Sequence, residues 1–246
     1  MDKNGTIVVT GASRGIGAGI AAALARDGFR VACLSRKGEL PAGLDAADAA
    51  RCVAAVCDVT DKDSVHAAME QIAAGGAIAG LVNNAGVHLH GASETFSLDD
   101  YQTVMQTNAS SVFMACQQVY PHLKRAGGGL IVNIGSFFDK LGVKRNLAYC
   151  ASKAAVGAMT RCLAVEWAAD GIRAVNVAPG YILTDLNRES MEVGSPLRSY
   201  LDKRIPAGRP GSVADVAELV AALYVHGFPF LSGETIYLDG AQGIAH

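Results

Sequence analysis

The amino-acid sequence predicts an α/β fold, in which a doubly wound parallel sheet of seven strands is flanked by helices within one domain spanning residues 1–246. Two observations lead to this prediction. Short apolar runs alternate with segments of helical periodicity along the chain, and the first run leads directly into a glycine-rich turn. Runs that are apolar on both faces are typical of parallel strands covered by helices. The strand-like runs cover residues 6–9, 30–34, 53–56, 81–82, 130–134, 173–177 and 234–238.

Composition and charge argue against several classes of protein. Hydrophobic residues make up 50% of the sequence and charged residues 18%, below the average of about 25%. The chain therefore has ample apolar material for a core and for a subunit interface. Because the net charge is −2 and Lys and Arg form no run, we expect neither nucleic acid nor a membrane surface as a partner.

The termini and the cysteines predict a cytoplasmic protein. No apolar run reaches the ~18 residues of a membrane span, and a strand-like run begins directly after Gly5, so we expect no leader segment. The cysteines form no CxxC pair and have no histidine at metal-ligand spacing. We expect them to be reduced packing residues, and we expect no metal site.

The turn after the first strand predicts a nucleotide-binding loop. Its glycines, Gly11, Gly15 and Gly17, have the spacing G-x3-G-x-G and are followed by a helical pattern through Ile20 and Leu24. Glycine allows the backbone to approach a pyrophosphate closely, and a helix N-terminus offers free N–H groups to it. The strand, turn and helix therefore occur in the order that a dinucleotide site requires.

The end of the second strand bears on the choice of dinucleotide. An acidic residue there would bind the adenosine ribose of NAD, but the sequence has Ser35 followed by Arg36 and Lys37. Together with Arg14, these cations suit a ribose 2′-phosphate, which favours NADP over NAD. The alternative is that they are simply solvated charges at a strand end.

Polar residues also follow the third and fourth strands. Asp58 is interpreted either as an acceptor for an adenine amino group or as the cap of the next helix. Asn83 and Asn84 are candidates for tying neighbouring loops together through backbone groups. His88 and His90 lack a third metal ligand nearby, which favours a substrate-facing or plain surface loop over a metal site.

A tyrosine and a lysine at helical spacing are the strongest candidates for catalysis. Tyr149 and Lys153 lie four residues apart, so a helix places them on one face. A cation beside a phenol lowers its pKa, although a shift of roughly three units from ~10 exceeds what one lysine supplies. A second positive charge, such as an oxidised nicotinamide, would help. Ser136 at the end of the fifth strand precedes Tyr149 by a loop that can bring both hydroxyls together.

Two features bear on the substrate. Residues 184–206 mix acidic and basic side chains and are interpreted as a lid over the strand ends, or alternatively as a pair of surface helices. Phe137 and Phe138 directly follow Ser136. If either ring faces the site, it favours a substrate with an apolar face, whereas inward packing of both rings would carry no information.

The whole chain resembles the short-chain dehydrogenase/reductase family. The matching motifs, in order, are TGASRGIG at 10–17, Asp58, NNAG at 83–86, Asn108, Ser136, YCASK at 149–153 and PG at 179–180. The resemblance implies a Rossmann fold, a bound NAD(P) and a homotetramer built on the helices that start near residues 108 and 149.

The resemblance also implies the roles of individual residues. Ser136 would hold the substrate oxygen, Tyr149 would pass the proton, Lys153 would lower the Tyr149 pKa and bind the nicotinamide ribose, and Asn108 would hold a relay water. Thr184 would contact the nicotinamide carboxamide, and substrate contacts are expected at Ser136, Phe138 and Tyr149. The cofactor contacts are expected at Gly11, Ser13, Arg14, Gly15, Ile16, Gly17, Ser35, Arg36, Asp58, Val59, Asn84, Ala85, Gly86, Tyr149, Lys153, Pro179, Gly180, Ile182 and Thr184.

Three functional hypotheses follow. The first is an NADP(H)-preferring oxidoreductase that interconverts a carbonyl and a secondary alcohol on a small or sugar-like hydroxy compound. The second is a 3-oxoacyl-[acyl-carrier-protein] reductase, which would need a basic patch to dock its acidic carrier; Lys124 and Arg125 are the only cations near the expected place. The third is a non-catalytic NAD(P)-binding protein, which would be expected to lack Tyr149, Lys153 or Ser136.

Overall fold

Parallel strands and covering helices alternate in the computed structural model, which describes residues 4–185 and 187–245. The strands are β1 Thr6–Thr10, β2 Arg30–Ser35, β3 Cys52–Val56, β4 Ile78–Asn83, β5 Gly129–Ile134, β6 Ile172–Pro179, β7 Ile182–Leu183, β8 Gly211–Ser212 and β9 Thr235–Leu238. The helices are α1 Gly15–Arg26, α2 Ala46–Ala49, α3 Lys62–Ala74, α4 Leu98–Met105, α5 Ser111–Arg125, α6 Leu147–Glu166, α7 Pro196–Arg204 and α8 Val213–His226.

The main sheet confirms the predicted doubly wound architecture. Seven strands are hydrogen-bonded in the order β3-β2-β1-β4-β5-β6-β9, and every neighbouring pair is parallel. From β1 the chain first builds outward through β2 and β3, and it then returns to place β4 on the other side. Ligands bind at such a switch point, outside the carboxyl ends of the strands.

Two layers of apolar side chains hold helices to the two faces of the sheet. Ile7 and Val9 of β1 belong to the layer under α1 and α8, whereas Val8 belongs to the layer under α3, α5 and α6. All three side chains are fully buried. Each burial stabilises the fold by about 1.5–3 kcal/mol relative to exposure. The continuous apolar run in the sequence follows from this two-sided burial.

Serine side chains cap the N-termini of α4 and α8. The Ser212 hydroxyl accepts a hydrogen bond from the backbone N–H of Asp215, and the Asp215 carboxylate accepts one from the backbone N–H of Ser212, which forms a capping box at the start of α8. Ser97 caps α4 through the backbone N–H of Asp100. Helix α4 continues into α5 through a π-helical turn, Gln106–Ser110, which the sequence did not indicate.

The described part of the segment predicted as a lid contains a 3-10 turn, Glu189–Met191, the helix α7 and residues of a small apolar cluster. Met191, Leu201 and Ile205 are buried together, and Tyr181 packs against them. The two-residue strands β7 and β8 pair beside this cluster and were not predicted. Leu186, which falls within the predicted lid, lies outside the described residues. In the described ranges, no helix has the length and apolar character needed to cross a membrane.

Candidate active site

Two adjoining cavities lie at the carboxyl ends of the strands on either side of the switch point. The larger has a volume of about 1120 Å³ and begins at the glycine-rich turn between β1 and α1. The smaller has a volume of about 340 Å³ and lies between the end of β5, the start of α6 and the segment after β6. Ile16, Gly86 and Thr184 are among the residues that line both.

Local backbone geometry explains the glycines of the turn. Gly11 and Gly15 have φ angles of +64° and +57°, a region that favours glycine. A Cβ on Gly17 would lie 2.3 Å from the carbonyl oxygen of Gly11, so the third glycine allows helix and turn to pack closely. Arg14, at the cap of α1, provides no side-chain cap, and Gly15 and Ile16 line the larger cavity. The helix N-terminus is therefore available to a phosphate.

An asparagine ties the turn to the neighbouring strand end, as predicted. The Asn84 amide donates to the carbonyl oxygens of Thr10 and Gly11 at 2.9 and 3.2 Å. In return, the Thr10 hydroxyl accepts from the backbone N–H groups of Asn84 and Ala85. These hydrogen bonds hold the glycine-rich turn against the end of β4, where Asn84 lines both cavities.

Basic side chains border the larger cavity at the end of β2, and no acidic residue follows that strand directly. Arg14, Ser35 and Arg36 line this cavity, whereas Lys37 does not. The Ser35 hydroxyl accepts from the backbone N–H groups of Gly38 and Glu39, so it stabilises the turn after the strand. Because the Ser35 hydroxyl is used in this turn, the side chains at the end of β2 that remain for the adenosine ribose of a dinucleotide are those of Arg14 and Arg36.

Asp58 lines the same cavity and does not cap α3. Asp61 is the cap, accepting from the backbone N–H groups of Asp63 and Ser64, so the capping interpretation of Asp58 is wrong. The Asp58 carboxylate instead accepts from the hydroxyl and backbone N–H of Thr60. These hydrogen bonds hold the pKa of Asp58 below its usual value, and nearby Arg36 adds to the effect.

The smaller cavity brings Ser136, Tyr149 and Lys153 together. Burial raises the pKa of Tyr149, while a hydrogen bond from the Ser136 hydroxyl acts in the opposite direction. The Ser136 oxygen itself accepts from the backbone N–H of Phe138. Loop and helix thus converge as the spacing of Ser136 and Tyr149 predicted.

Lys153 lies on the same face of α6 as Tyr149 but bonds elsewhere. Its nitrogen is 5.7 Å from the centre of the Tyr149 ring and donates at 2.8 Å to the carbonyl of Ile134. Burial lowers the pKa of Lys153 to about 8. In the protein alone, therefore, the Tyr149 pKa is raised by burial, which differs from the lowering that the family resemblance led us to expect.

Asn108 lies in the π-helical turn and is fully buried. Its side-chain oxygen accepts from the backbone N–H of Val87, and its amide donates to the carbonyl of Val87 and to the Ser152 hydroxyl. The side chain thus joins the loop after β4 to α6, directly behind the smaller cavity. π-Helical turns are frequent at functional sites.

Aromatic rings form one side of the smaller cavity. Phe137 and Phe138 are both buried and both line it, together with Tyr181. The Phe138 ring stands perpendicular to that of Tyr149, with centres 6.0 Å apart. Both phenylalanines therefore face the site, which answers the question that the sequence left open.

A histidine also lines the smaller cavity. The His88 ring lies against the Tyr149 ring with centres 4.6 Å apart, and the His90 ring lies 5.9 Å from that of His88. Across the described residues, no group of His, Cys, Asp and Glu could hold a metal ion. His88 lines the smaller cavity and His90 lines neither, so the loop faces the site through His88.

Most of the predicted site residues line one or both cavities. The exceptions are Gly17, which packs beneath the turn, and Asn108, which lies behind the smaller cavity. Sequence reasoning missed Tyr181 in the smaller cavity, and it covered Asn187 and Met191 only as part of the predicted lid, residues 184–206. Tyr181 carries a usable signal, because it directly follows the Pro179-Gly180 break at a strand end. The residues of α4 that line the larger cavity, such as Tyr101 and Gln102, gave no signal in the sequence.

Comparison with known proteins agrees with this geometry. Residues 11–241 match the family model described as Enoyl-(Acyl carrier protein) reductase. D-threitol dehydrogenase of Mycolicibacterium smegmatis is 35% identical, covering 96% of this chain and 92% of its own. The 3-oxoacyl-[acyl-carrier-protein] reductase MabA of Mycobacterium tuberculosis is 34% identical, covering 98% and 94%. The crystal structure of a gluconate 5-dehydrogenase from Burkholderia cenocepacia in complex with NADP and tartrate superposes with a TM-score of 0.92 at 33% identity, covering 100% and 97%.

Proposed function

This chain belongs to the short-chain dehydrogenase/reductase family of NAD(P)-dependent oxidoreductases, and we propose that it interconverts a secondary alcohol and a carbonyl with Tyr149 as general acid/base. One observation carries the proposal. The hydroxyl groups of Ser136 and Tyr149 meet in a small cavity that adjoins the larger cavity beginning at the glycine-rich turn.

The larger cavity fits a dinucleotide. Gly15 combines a positive φ with a Cβ position that meets only Thr184, at 4.0 Å, so the turn is open on the cavity side. The uncapped N-terminus of α1 would receive the phosphates, and Asp58, Asn84–Gly86 and Thr184 would line the rest. When bound, a nicotinamide dinucleotide supplies or accepts the hydride.

The chain's own residues handle the proton. Because burial raises the Tyr149 pKa, its phenol is protonated near neutral pH and can donate to a carbonyl oxygen that is being reduced. Ser136 holds the same oxygen, and its hydrogen bond stabilises the phenolate left behind. Lys153, four residues along α6, contributes a positive charge to that phenolate.

We assign NADP(H) as the preferred cofactor, with NAD(H) as the weaker one. Arg14 and Arg36 border the cavity at the end of β2, and no acidic side chain occupies the position of Ser35. Arginine binds phosphate oxygens through paired N–H donors, whereas the ribose hydroxyl of NAD would require a carboxylate. The NADP in the gluconate 5-dehydrogenase from Burkholderia cenocepacia supports this choice.

The proposed substrate is a small or sugar-like hydroxy compound with one apolar face. A cavity of about 340 Å³ suits a small molecule, and Phe137, Phe138 and Tyr181 give it an aromatic side. The names of two relatives, a D-threitol and a gluconate dehydrogenase, support polyols and their ketones. Residues 184–206 are proposed to act as the lid over this cavity, since Thr184, Asn187 and Met191 line it.

The alternative of an acyl-carrier-protein reductase has the named relative MabA in its favour. Its acidic carrier would need free cations near the end of α5. Lys124, however, is paired with Asp170 at 3.0 Å and bonded to the Tyr120 hydroxyl. A non-catalytic role is disfavoured because Ser136, Tyr149 and Lys153 are all retained in one cavity.

We further propose a cytoplasmic homotetramer built on α5 and α6. Phe113, Leu147 and Val165 are exposed on these helices by 50%, 53% and 80%. Large exposed apolar side chains on neighbouring helices mark contact surfaces. Light scattering on the purified protein tests the assembly.

A screen of secondary alcohols with NADP and of ketones with NADPH, read at the nicotinamide absorbance, tests the function. We expect turnover by the native protein and none above background by Tyr149→Phe. No turnover of any carbonyl or alcohol, with either cofactor, would contradict the proposal.

A further inference from the structure

Among the described residues that line the smaller cavity, His88 is the polar side chain whose ring lies against the Tyr149 ring. The ring centres of His88 and Tyr149 are 4.6 Å apart, and those of Phe138 and Tyr149 are 6.0 Å apart. Any molecule whose oxygen reaches the hydroxyls of Ser136 and Tyr149 therefore has the imidazole beside it. Because imidazole can form hydrogen bonds, a histidine at this position influences which substrates bind.

The hydrogen bonds around His88 fix which of its nitrogens carries the proton in the neutral ring. Its Nε2 lies 2.5 Å from the side-chain oxygen of Asn146. The Asn146 amide nitrogen donates at 2.8 Å to the carbonyl of Lys144, so the oxygen is the atom turned towards His88. An amide oxygen only accepts, and Nε2 must therefore carry the hydrogen. Nδ1 is left with a lone pair and with no protein partner within the described ranges.

Several other polar side chains of the cavity are already engaged, and the ring of Tyr181 lies against Phe137 and Phe138. Asn84 bonds the glycine-rich turn, Asn187 bonds the backbone of Ile182 and Thr184, and Lys153 bonds the carbonyl of Ile134. Neither Asp nor Glu lines the cavity. Of the two rings that lie against Tyr149, those of His88 and Phe138, only that of His88 carries a hydrogen-bond acceptor, its Nδ1.

We propose that His88 is a specificity-determining residue that accepts a hydrogen bond from a hydroxyl on the carbon next to the reacting carbon. The preferred substrates are then vicinal diols and the corresponding α-hydroxy ketones, whose remaining face packs on the aromatic side formed by Phe137, Phe138 and Tyr181. This inference rests on the proposed function and narrows its substrate class.

Substitutions at residue 88 distinguish hydrogen bonding by His88 from packing of its ring against Tyr149. A phenylalanine at residue 88 keeps a ring against Tyr149 and removes the acceptor. An asparagine keeps a polar atom close to the position of Nδ1 and removes the ring. A glutamine places its polar atoms near the position of Nε2. If packing alone matters, phenylalanine substitutes for histidine; if the acceptor matters, asparagine is the better replacement.

The experiment compares matched substrates in the native protein and in three variants. With NADP, trans-cyclohexane-1,2-diol and cyclohexanol are oxidised in parallel; with NADPH, 2-hydroxycyclohexanone and cyclohexanone are reduced. The native protein is expected to prefer the hydroxylated member of each pair in kcat/KM by about tenfold, the effect of one hydrogen bond. H88F and H88Q are expected to lose that preference, read as the ratio of kcat/KM for the two members of a pair in the same variant, and H88N is expected to retain part of it.

The outcomes are distinguishable. A preference that is absent from the native protein, or that survives unchanged in H88F, overturns the role of His88 and leaves the proposed function intact. No turnover of any of the four compounds, or of the wider alcohol and ketone screen, contradicts the proposed function, and the inference then fails with it. Loss of all turnover in H88F while NADPH still binds would mean that the imidazole is needed for every substrate and not for the choice between substrates, against the inference.

Discussion

Lys153 donates a hydrogen bond of 2.8 Å to the backbone carbonyl of Ile134, the last residue of β5. The ammonium group is thereby held between α6 and the carboxyl edge of the sheet, and its nitrogen is 5.7 Å from the centre of the Tyr149 ring. A single bond to an uncharged carbonyl compensates little of the cost of burying a charge, and the Lys153 pKa falls to about 8. The lysine that supports the candidate acid is itself destabilising.

Replacing Lys153 by methionine should therefore stabilise the protein near neutral pH. The unfolded lysine titrates at 10.5 and the folded one at about 8. Between these values the unfolded state binds more protons, so native stability rises with pH across that window. At pH 7 the difference corresponds to about 3 kcal/mol in favour of Lys153→Met, less the lost hydrogen bond, and it should vanish towards pH 10.5.

Denaturant unfolding of both proteins at pH 7 and pH 10 measures this difference. Comparing the variant with the native protein cancels the titration of all other groups. Turnover by Lys153→Met should be strongly reduced at every pH. A variant less stable than the native protein at pH 7, or a pH-independent stability difference, would contradict the buried-charge argument.

Tyr149→Phe should abolish turnover and leave cofactor binding almost unchanged. Removing a general acid/base typically costs 10²–10⁴-fold in rate. Tyr181→Phe is the matched control, because Tyr181 also lines the smaller cavity and its burial likewise raises its pKa. Rates with saturating NADPH, together with the NADPH dissociation constant of each protein, make the comparison. Retention of most of the rate by Tyr149→Phe would remove the phenol from the mechanism.

Arg36→Ala should weaken NADPH binding and leave NADH binding nearly unchanged. A charge-assisted hydrogen bond to phosphate contributes about 1.5–3 kcal/mol, or roughly 10–100-fold in the dissociation constant. Lys37→Ala is the control, since Lys37 is the neighbouring cation that does not line the larger cavity. Titrating both cofactors into the three proteins tests the assignment. Equal affinity of the native protein for NADPH and NADH would refute the cofactor preference.

Asn108→Ala should reduce both stability and turnover. The change leaves the backbone N–H and carbonyl of Val87 without partners, which costs about 1–3 kcal/mol per buried group. The loop that carries His88 would lose its anchor to α6, and the rate should fall with it. Gln117→Ala is a control from the adjoining helix α5, because Gln117 is exposed and lines neither cavity. Melting temperatures and pH–rate profiles are the measurements; an unchanged rate across pH would remove Asn108 from the site.

The sequence predicted the main sheet because each strand is marked locally, by an apolar run such as that of β1. The start of β4 was not predicted because the small residues Ala79 and Gly80 give a weak strand signal. In the structure the pairing with β1 skips Ala79 at a register shift and resumes at Gly80. The π-helical turn and the strands β7 and β8 depend on contacts across the fold, which no local pattern encodes. The same holds for the direction of side chains: spacing alone placed Lys153 beside Tyr149 but could not show its bond to Ile134.

Gly17→Ala should damage the cofactor site through packing alone, because Gly17 does not line either cavity. The added Cβ would lie 2.3 Å from the Gly11 carbonyl oxygen and 2.4 Å from the Asn84 amide nitrogen. Both atoms belong to the network that joins the glycine-rich turn to the end of β4, so helix and turn must separate. Overpacking of this kind costs about 1–3 kcal/mol in the free energy of unfolding.

The control for Gly17→Ala is Gly142→Ala, where no atom lies within 4 Å of the added Cβ and φ is not positive. We expect Gly17→Ala to lower the melting temperature and to weaken NADPH and NADH binding to a similar extent. Both cofactors contain the pyrophosphate, and the displaced turn would no longer bind it in the same way. Gly142→Ala should change neither quantity. A Gly17→Ala protein that binds both cofactors as the native one does would mean that the turn tolerates displacement from α1, and the close approach of helix and turn would then have no part in binding.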